Sequence, residues 1–314
     1  MTQAAQEFGL SAKCVLSSDI DTNCQNIYAD NFGERPIGDI TKIDPANIPD
    51  HDLLLAGFPC QPFSIIGKKK GFEDTRGTLF FNIASILEKK RPRAFVLENV
   101  KLLKGHDSGR TLKRIIETLV GFGYFVTYRI FNARNFGLPQ NRERIFIVGF
   151  RGAMDFRWPI PYTPMKPLSD ILETHVPREY YVSDKIRKQR LEKCEDKNPT
   201  KPGIWHENKA GHISVYPYSC ALRAGASYNY LLVNGVRRLT GREMFRLQGF
   251  PESFILPKKY GIARHQAGNS LPIPVAQAVI RSVISGFMPF MYQTLPQDGK
   301  VSLTVCEEGV LYGT

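Results

Sequence analysis

The sequence has no Cys-x-x-Cys pair, and none of Cys14, Cys24, Cys60, Cys194, Cys220 and Cys306 has a histidine at ligand spacing. That argues against a metal site and a disulfide framework, and for a reducing, cytoplasmic setting. Apolar runs of membrane-spanning length are missing too. The most apolar stretch, residues 272–292, is broken by Pro274, Gln277, Arg281 and Pro289, so no membrane partner is expected. The first residues, MTQAAQEFGLSAK, lack the basic flank and apolar block of a secretory leader. No internal repeat or low-complexity tract occurs. Acidic residues are in deficit: 30 Asp and Glu face 42 Lys and Arg, a net charge of +12. Such a surplus suits a polyanionic partner such as nucleic acid, and also serves plain solubility.

What is there reads as an α/β protein. Short apolar runs recur at Lys13–Ser17, Asp52–Gly57, Ala94–Glu98, Phe125–Phe131 and Ile145–Phe150. They are apolar throughout rather than alternating, the pattern of strands buried on both faces of a parallel sheet. Helix patterns lie between them: Asp21 as N-cap of a segment to Phe32, residues 78–90 ending in two lysines, and a face of Leu112, Ile115, Ile116 and Leu119 stopped at Gly121 or Gly123. Alternating strands and helices predict a mostly parallel sheet with helices on both faces. This first domain is expected to span residues 1–157. Prolines 159, 161, 164 and 167 then open a second, smaller, strand-rich domain over 158–260 with little helix. Its strand signals are Ser214–Leu222 and Tyr230–Val233, the latter closed by an Asn234-Gly235 turn. Residues 261–290 are expected to form a helix packing back on the first domain, and 291–314 a tail.

Four strings carry chemistry. Cys60, in GFPCQPFS, follows a strand at the carboxyl edge of the sheet, where open α/β sheets bind ligands. A lone thiol there is most often an inert small hydrophobe. The next loop, GKKKGFEDTRG, would favour the thiolate, or would be an ordinary charged surface. Glu98-Asn99 ends an apolar strand, where a carboxylate is costly unless it is paired, used or emerging into solvent. Arg142 and Arg144, two apart on entering a strand, could fork onto a carbonyl or phosphate, or serve as salt-bridge partners. Asn269-Ser270 before a helix reads as a cap.

In this order the strings resemble the DNA cytosine-5 methyltransferases of bacterial restriction–modification systems. The family's Pro-Cys-Gln is matched by Pro59-Cys60-Gln61, its Glu-Asn-Val by Glu98-Asn99-Val100, and its Gln-x-Arg-x-Arg by Gln140 to Arg144. Arg237 to Pro251 and the closing Gly268-Asn269-Ser270 complete the series, over a span from about Cys14 to Phe287. The resemblance implies a Rossmann-like, S-adenosylmethionine-dependent fold with a target-recognition domain. It implies methyl transfer to C5 of a cytosine flipped out of double-stranded DNA. Catalysis would fall to Cys60, Glu98, Arg144 and, helping it, Arg142. S-adenosylmethionine would be held by Asp19, Ile20, Asp39, Ile40, Pro59, Leu79, Asn269 and Ser270.

Two departures qualify this. The family's target-facing Thr-Leu is Ala221-Leu222 here, which leaves that role unassigned. The family's opening strand and Phe-x-Gly-x-Gly turn, which hold the methionine end of the cofactor, have no match ahead of the strand carrying Asp19. The sheet is therefore expected to leave a neighbour strand uncovered, with the missing unit supplied either by residues encoded upstream of Met1 or by a partner peptide. RNA cytosine methylation, and an inactive or split DNA-binding fragment, are the competing readings.

Overall fold

The computed structural model describes residues 2–59, 79–152, 154–194, 202–291 and 302–308. They divide into two compact units. One comprises Met1–Phe131, Arg144–Ile160 and Gln277–Gly313, and the other Asn132–Glu143 and Pro161–Ala276. The boundaries thus differ from a simple cut at residue 158, because the chain enters the second unit once at Asn132, before returning to it at Pro161.

The first unit opens with a short helix α1 (Thr2–Gln6), then β1 (Ser11–Ser18) and α2 (Thr22–Phe32). Asp21 caps α2 by accepting from the Asn23 amide, and Gly33 ends it in the left-handed region at φ 76°, where glycine carries no Cβ penalty. There follow β2 (Leu53–Gly57), α3 (Leu79–Lys90), β3 (Ala94–Val100), α4 (Arg110–Gly121) and β4 (Phe125–Asn132). A two-residue strand β5 (Gln140–Asn141) belongs to the second unit, and β6 (Glu143–Phe150) returns to the sheet. The apolar runs of β2, β3 and β6 are buried as their composition requires. Those of β1 and β4, the two end strands of the sheet, are mostly half-buried or exposed because each has a neighbour on one side alone. Leu54, Phe95, Leu97, Ile145 and Ile147 join Ile83, Leu87, Leu112, Ile115 and Leu119 of α3 and α4 in one core. Gly149 pairs with Phe95 across β6 and β3, and a Cβ there would strike the Phe95 ring.

The second unit contains more helix than its sequence suggests. The helices α5 (Asp184–Lys193), α6 (Gly241–Leu247) and α7 (Tyr260–Asn269) accompany β7 (Ile204–Glu207), β8 (Ile213–Tyr216), β9 (Ser219–Cys220) and β10 (Leu231–Val233). The strands order as β10-β7-β8, with β5 paired to β9 separately. The turn after β10 forms as expected, with Asn234 at φ 50° and Gly235 at φ 69°. A Cβ on Gly235 would lie 2.7 Å from the buried Trp205 ring.

Helix α8 (Ile273–Met291) leads toward a strand where a tail is expected. β11 (Ser302–Glu308) lies between β1 and β2 and runs parallel to both, giving a six-stranded order β1-β11-β2-β3-β6-β4. In doubly wound sheets that central slot is the place of the first strand. The expected uncovered edge is therefore filled by the chain's own residues 302–308. Val305 and Cys306 are fully buried there.

Candidate active site

The carboxyl end of β3 concentrates the polar chemistry of the first unit. Glu98 is 2% exposed, and Asn99 is wholly buried. Glu98 forms an ion pair with Arg144 Nε at 2.7 Å. The strand register accounts for this pair. β3 and β6 run antiparallel with Arg144 opposite Val100, so Glu98, two residues earlier, is the diagonal neighbour on the same face. Asn99 Nδ2 donates to the Phe58 carbonyl at 2.8 Å, tying β3 to the chain just beyond β2. Glu98 is also paired in register with Gly57, the last residue of β2. Pro59 follows two positions later. Cys60, the expected nucleophile, and the Lys68–Lys70 loop lie outside the described residues.

The expected cofactor residues of the first unit fall into two neighbouring clusters. Asp19 directly follows β1, and its carboxylate accepts from the Asp21 amide at 2.8 Å. Burial pushes its carboxyl group up from the ordinary aspartate value, against the lowering effect of that amide. Ile20 beside it is 51% exposed, an apolar surface open to a flat ring. The second cluster is joined to β1 through the Ser18–Ile37 bridge and the Ser18 hydroxyl, which donates to the Gly38 carbonyl at 2.7 Å. Asp39 accepts from the Thr41 hydroxyl and amide, at 2.7 and 3.0 Å, which hold its carboxyl below the usual range. Ile40 is buried in the core, as is Leu79 at the start of α3.

Two carboxylates and an exposed isoleucine at one sheet edge fit the adenosine end of S-adenosylmethionine: the carboxylates accept from hydroxyls and an amine, and the isoleucine covers a ring. The methionine end has no glycine turn among the described residues. The central slot carries β11 instead.

In the second unit, Asn269 is the last residue of α7 and Ser270 its C-cap, not the start of the following helix. The Ser270 amide and hydroxyl donate back to the Gln266 and Ala267 carbonyls. Arg142 is 1% exposed, and its guanidinium donates to the carbonyls of Leu222, Gly268 and Ser270. The fork onto carbonyls that the two-residue spacing allowed is thus made by Arg142 on main chain of its own unit, while Arg144 pairs with Glu98. Sequence reasoning gave no role of their own to Gln140 and Gln248, both fully buried. Gln140 donates to the Leu247 carbonyl at 2.9 Å, and Gln248 to the Ala267 carbonyl at 2.6 Å. The string Gln140 to Arg144 was visible, but the side-chain partners of Gln140 and Arg142 lie 80 to 128 residues away. Among the described residues no helix is long and apolar enough to cross a membrane.

Comparison with known proteins finds similar chains over most of this sequence. A family model described as C-5 cytosine-specific DNA methylase matches residues 1–285. The type II methyltransferase M.NgoBI of Neisseria gonorrhoeae is 56% identical over 277 residues, covering 88% of this chain and 87% of that protein. M.HaeII of Haemophilus aegyptius, also a type II methyltransferase, is 54% identical over 275 residues, covering 87% and 86% respectively. Among solved structures, the S. pombe Dnmt2 methyltransferase shares the fold with a TM-score of 0.68 at 21% identity, over 91% of this chain and 94% of that one.

Proposed function

We propose that this chain, which belongs to the C-5 cytosine-specific DNA methylase family, methylates C5 of a cytosine swung out of a specific duplex DNA sequence. The observation that carries this reading is the buried Glu98–Arg144 pair at the carboxyl end of β3. A carboxylate and a guanidinium held side by side match one edge of cytosine, whose ring nitrogen needs a proton partner and whose carbonyl needs a donor. Asn99 anchors that strand end to Phe58, two residues before Cys60.

In the proposed reaction the Cys60 thiolate forms a bond to C6 of the ring, and the electron pair of the C5–C6 double bond becomes available at C5. Glu98 holds a proton at N3 to offset the charge that builds in the ring, and Arg144 donates to the base carbonyl. S-adenosylmethionine, when bound, supplies an electrophilic methyl group. Loss of the C5 proton then re-forms the double bond and breaks the bond to sulfur, releasing Cys60 as thiolate. Asp19, Ile20 and Asp39 would hold the adenosine end of the cofactor, with Pro59 beside it and Ile40 and Leu79 packed beneath. Residues 158–235 would read the DNA sequence, since base edges rather than phosphates carry sequence information.

One observation favours a second reading, a DNA-binding chain that takes the cofactor only with a partner segment. The central slot is held by Ser302–Glu308, which has no Phe-x-Gly-x-Gly turn. Calorimetry on the 314-residue chain separates the two: micromolar binding of S-adenosylmethionine without any added segment dismisses it. The catalytic assignment is tested at Cys60. Cys60→Ser should abolish methyl transfer, whereas Cys24→Ser and Cys220→Ser retain it. DNA with 5-fluorocytosine at the target, whose C5 substituent cannot leave as a proton, should become attached through Cys60. Attachment at another residue, or full activity of Cys60→Ser, overturns the assignment.

A further inference from the structure

Arg142 makes a fork onto three main-chain carbonyls of its own unit, Leu222 through Nη1 and Gly268 and Ser270 through Nη2, each at 2.9 Å. Only a guanidinium does this well, because its fixed planar donors reach several acceptors at once, whereas a lysine ammonium is a point charge on a flexible stem. Two further observations converge on the same place. Gln140, two residues earlier, accepts from the Leu222 amide at 3.3 Å, so both backbone groups of Leu222 are held from one short stretch. Gly268 lies directly against the next residues: a Cβ there would collide with the Ala224 amide nitrogen and come within 2.9 Å of the Arg223 carbonyl carbon. The 222–224 segment and the 268–270 turn are thus clasped by an arginine and seated through a glycine.

We propose that Arg142 is a positioning residue that locks the 222–224 segment and the 268–270 turn into one rigid piece, and that it does not bind the target base. The lock stands on geometry alone. Its value to the reaction rests on the methyltransferase reading, under which the Asn269-Ser270 turn meets the cofactor and the 222–224 segment belongs to the region, residues 158–235, that meets the DNA. Holding them as one piece sets their spacing before either ligand arrives, and spares the ordering cost at binding.

The test uses the full chain and two measurements. In hydrogen exchange, Arg142→Lys should speed the amides of 222–224 and of 268–270 together, by about tenfold or more, the scale of one lost charge-assisted hydrogen bond. Gly268→Ala should produce the same paired pattern with Arg142 intact, and Arg144→Lys should leave both segments unchanged. In binding to duplexes carrying either cytosine or an abasic site at the target, Arg142→Lys should weaken both alike. Arg144→Lys should erode the preference between them. Unchanged exchange in both Arg142→Lys and Gly268→Ala overturns the lock. Loss of the cytosine preference in Arg142→Lys, matching Arg144→Lys, returns Arg142 to the base. If the wild-type chain itself shows no preference, the methyltransferase reading fails while the exchange result still decides the lock.

Discussion

Asp52 and Thr304 stand 252 residues apart and clasp each other through main chain and side chain. The Asp52 amide donates to the Thr304 carbonyl at 2.9 Å, while the Thr304 amide and hydroxyl donate to Asp52 Oδ2 at 3.1 and 2.9 Å. The pair sits where β11 enters the sheet beside β2, and Arg93 meets the same carboxylate at 3.3 Å. Without β11 the facing edges of β1 and β2 would leave unpaired amides in the middle of a core.

This clasp makes β11 part of the cooperative fold. Thr304→Val keeps the shape and removes the hydroxyl, and should cost about 1.5–3 kcal/mol, the range for a hydrogen bond to a charged group. Val305→Asp, which places an unpaired charge in the core, should cost more. Thermal unfolding followed by circular dichroism checks both. If Val305→Asp melts with the parent chain, β11 is not in the sheet.

The Glu98–Arg144 pair predicts a strong energetic coupling. Removing either partner leaves a buried charge without its counterpart, at a cost of roughly 3–5 kcal/mol. Glu98→Ala and Arg144→Ala should each destabilise on that scale, and the double variant by clearly less than their sum. Urea denaturation of the four chains in the cycle gives the coupling directly. Strict additivity would show that the two side chains do not sense each other, and would remove the observation on which the catalytic reading rests.

The contrast between these elements explains what the sequence could disclose. β2 and β3 were legible because a strand buried on both faces must be apolar throughout, and Glu98 stood out as the costly exception. The capping aspartate of α2 was legible because its partner is two residues away. Helix α5 was hidden, since DKIRKQRLEK has no apolar face and buries one residue, Arg190, through contacts with Glu207 and the Asn229 carbonyl. The start of α6 was open to view. Its Thr240–Glu243 capping box is the Thr-x-x-Glu pattern, overlooked within a stretch read for its arginines. β11 carries a short mixed run ending in two glutamates, and only its neighbours make it a central strand. Arg142 looked like a twin of Arg144 because spacing says nothing about partners that tertiary folding brings from afar.

The last prediction concerns pH and His51, a buried residue just before β2. Its Nδ1 lies 2.9 Å from the Pro49 carbonyl, which can only accept, so the ring carries its proton on Nδ1. Nε2 is buried with no hydrogen-bond partner among the described residues. Protonating Nε2 would bury a charge there, and burial accordingly pushes the imidazole below its ordinary value, aided by Lys90 and opposed by the Pro49 carbonyl, Asp52 and Asp50. His206 is lowered as well, by burial and by Arg223 and Arg190. A histidine lowered on folding binds fewer protons in the native chain than in the unfolded one, so stability rises with pH between the two values. The unfolding free energy should therefore be level above about pH 7 and fall as pH drops below about 6.5, where the unfolded histidines begin to charge. Each histidine contributes at most about 1.4 kcal/mol per pH unit to that slope. Asp19, raised by burial, acts with the opposite sign in the acid range, so the informative quantity is a difference between chains. His51→Asn, which retains a donor for the Pro49 carbonyl and cannot titrate, should flatten the slope between about pH 6.5 and 5.5 relative to the parent. Denaturant titrations at a series of pH values measure this, and parallel curves for the two chains would show that His51 charges as freely in the fold as outside it.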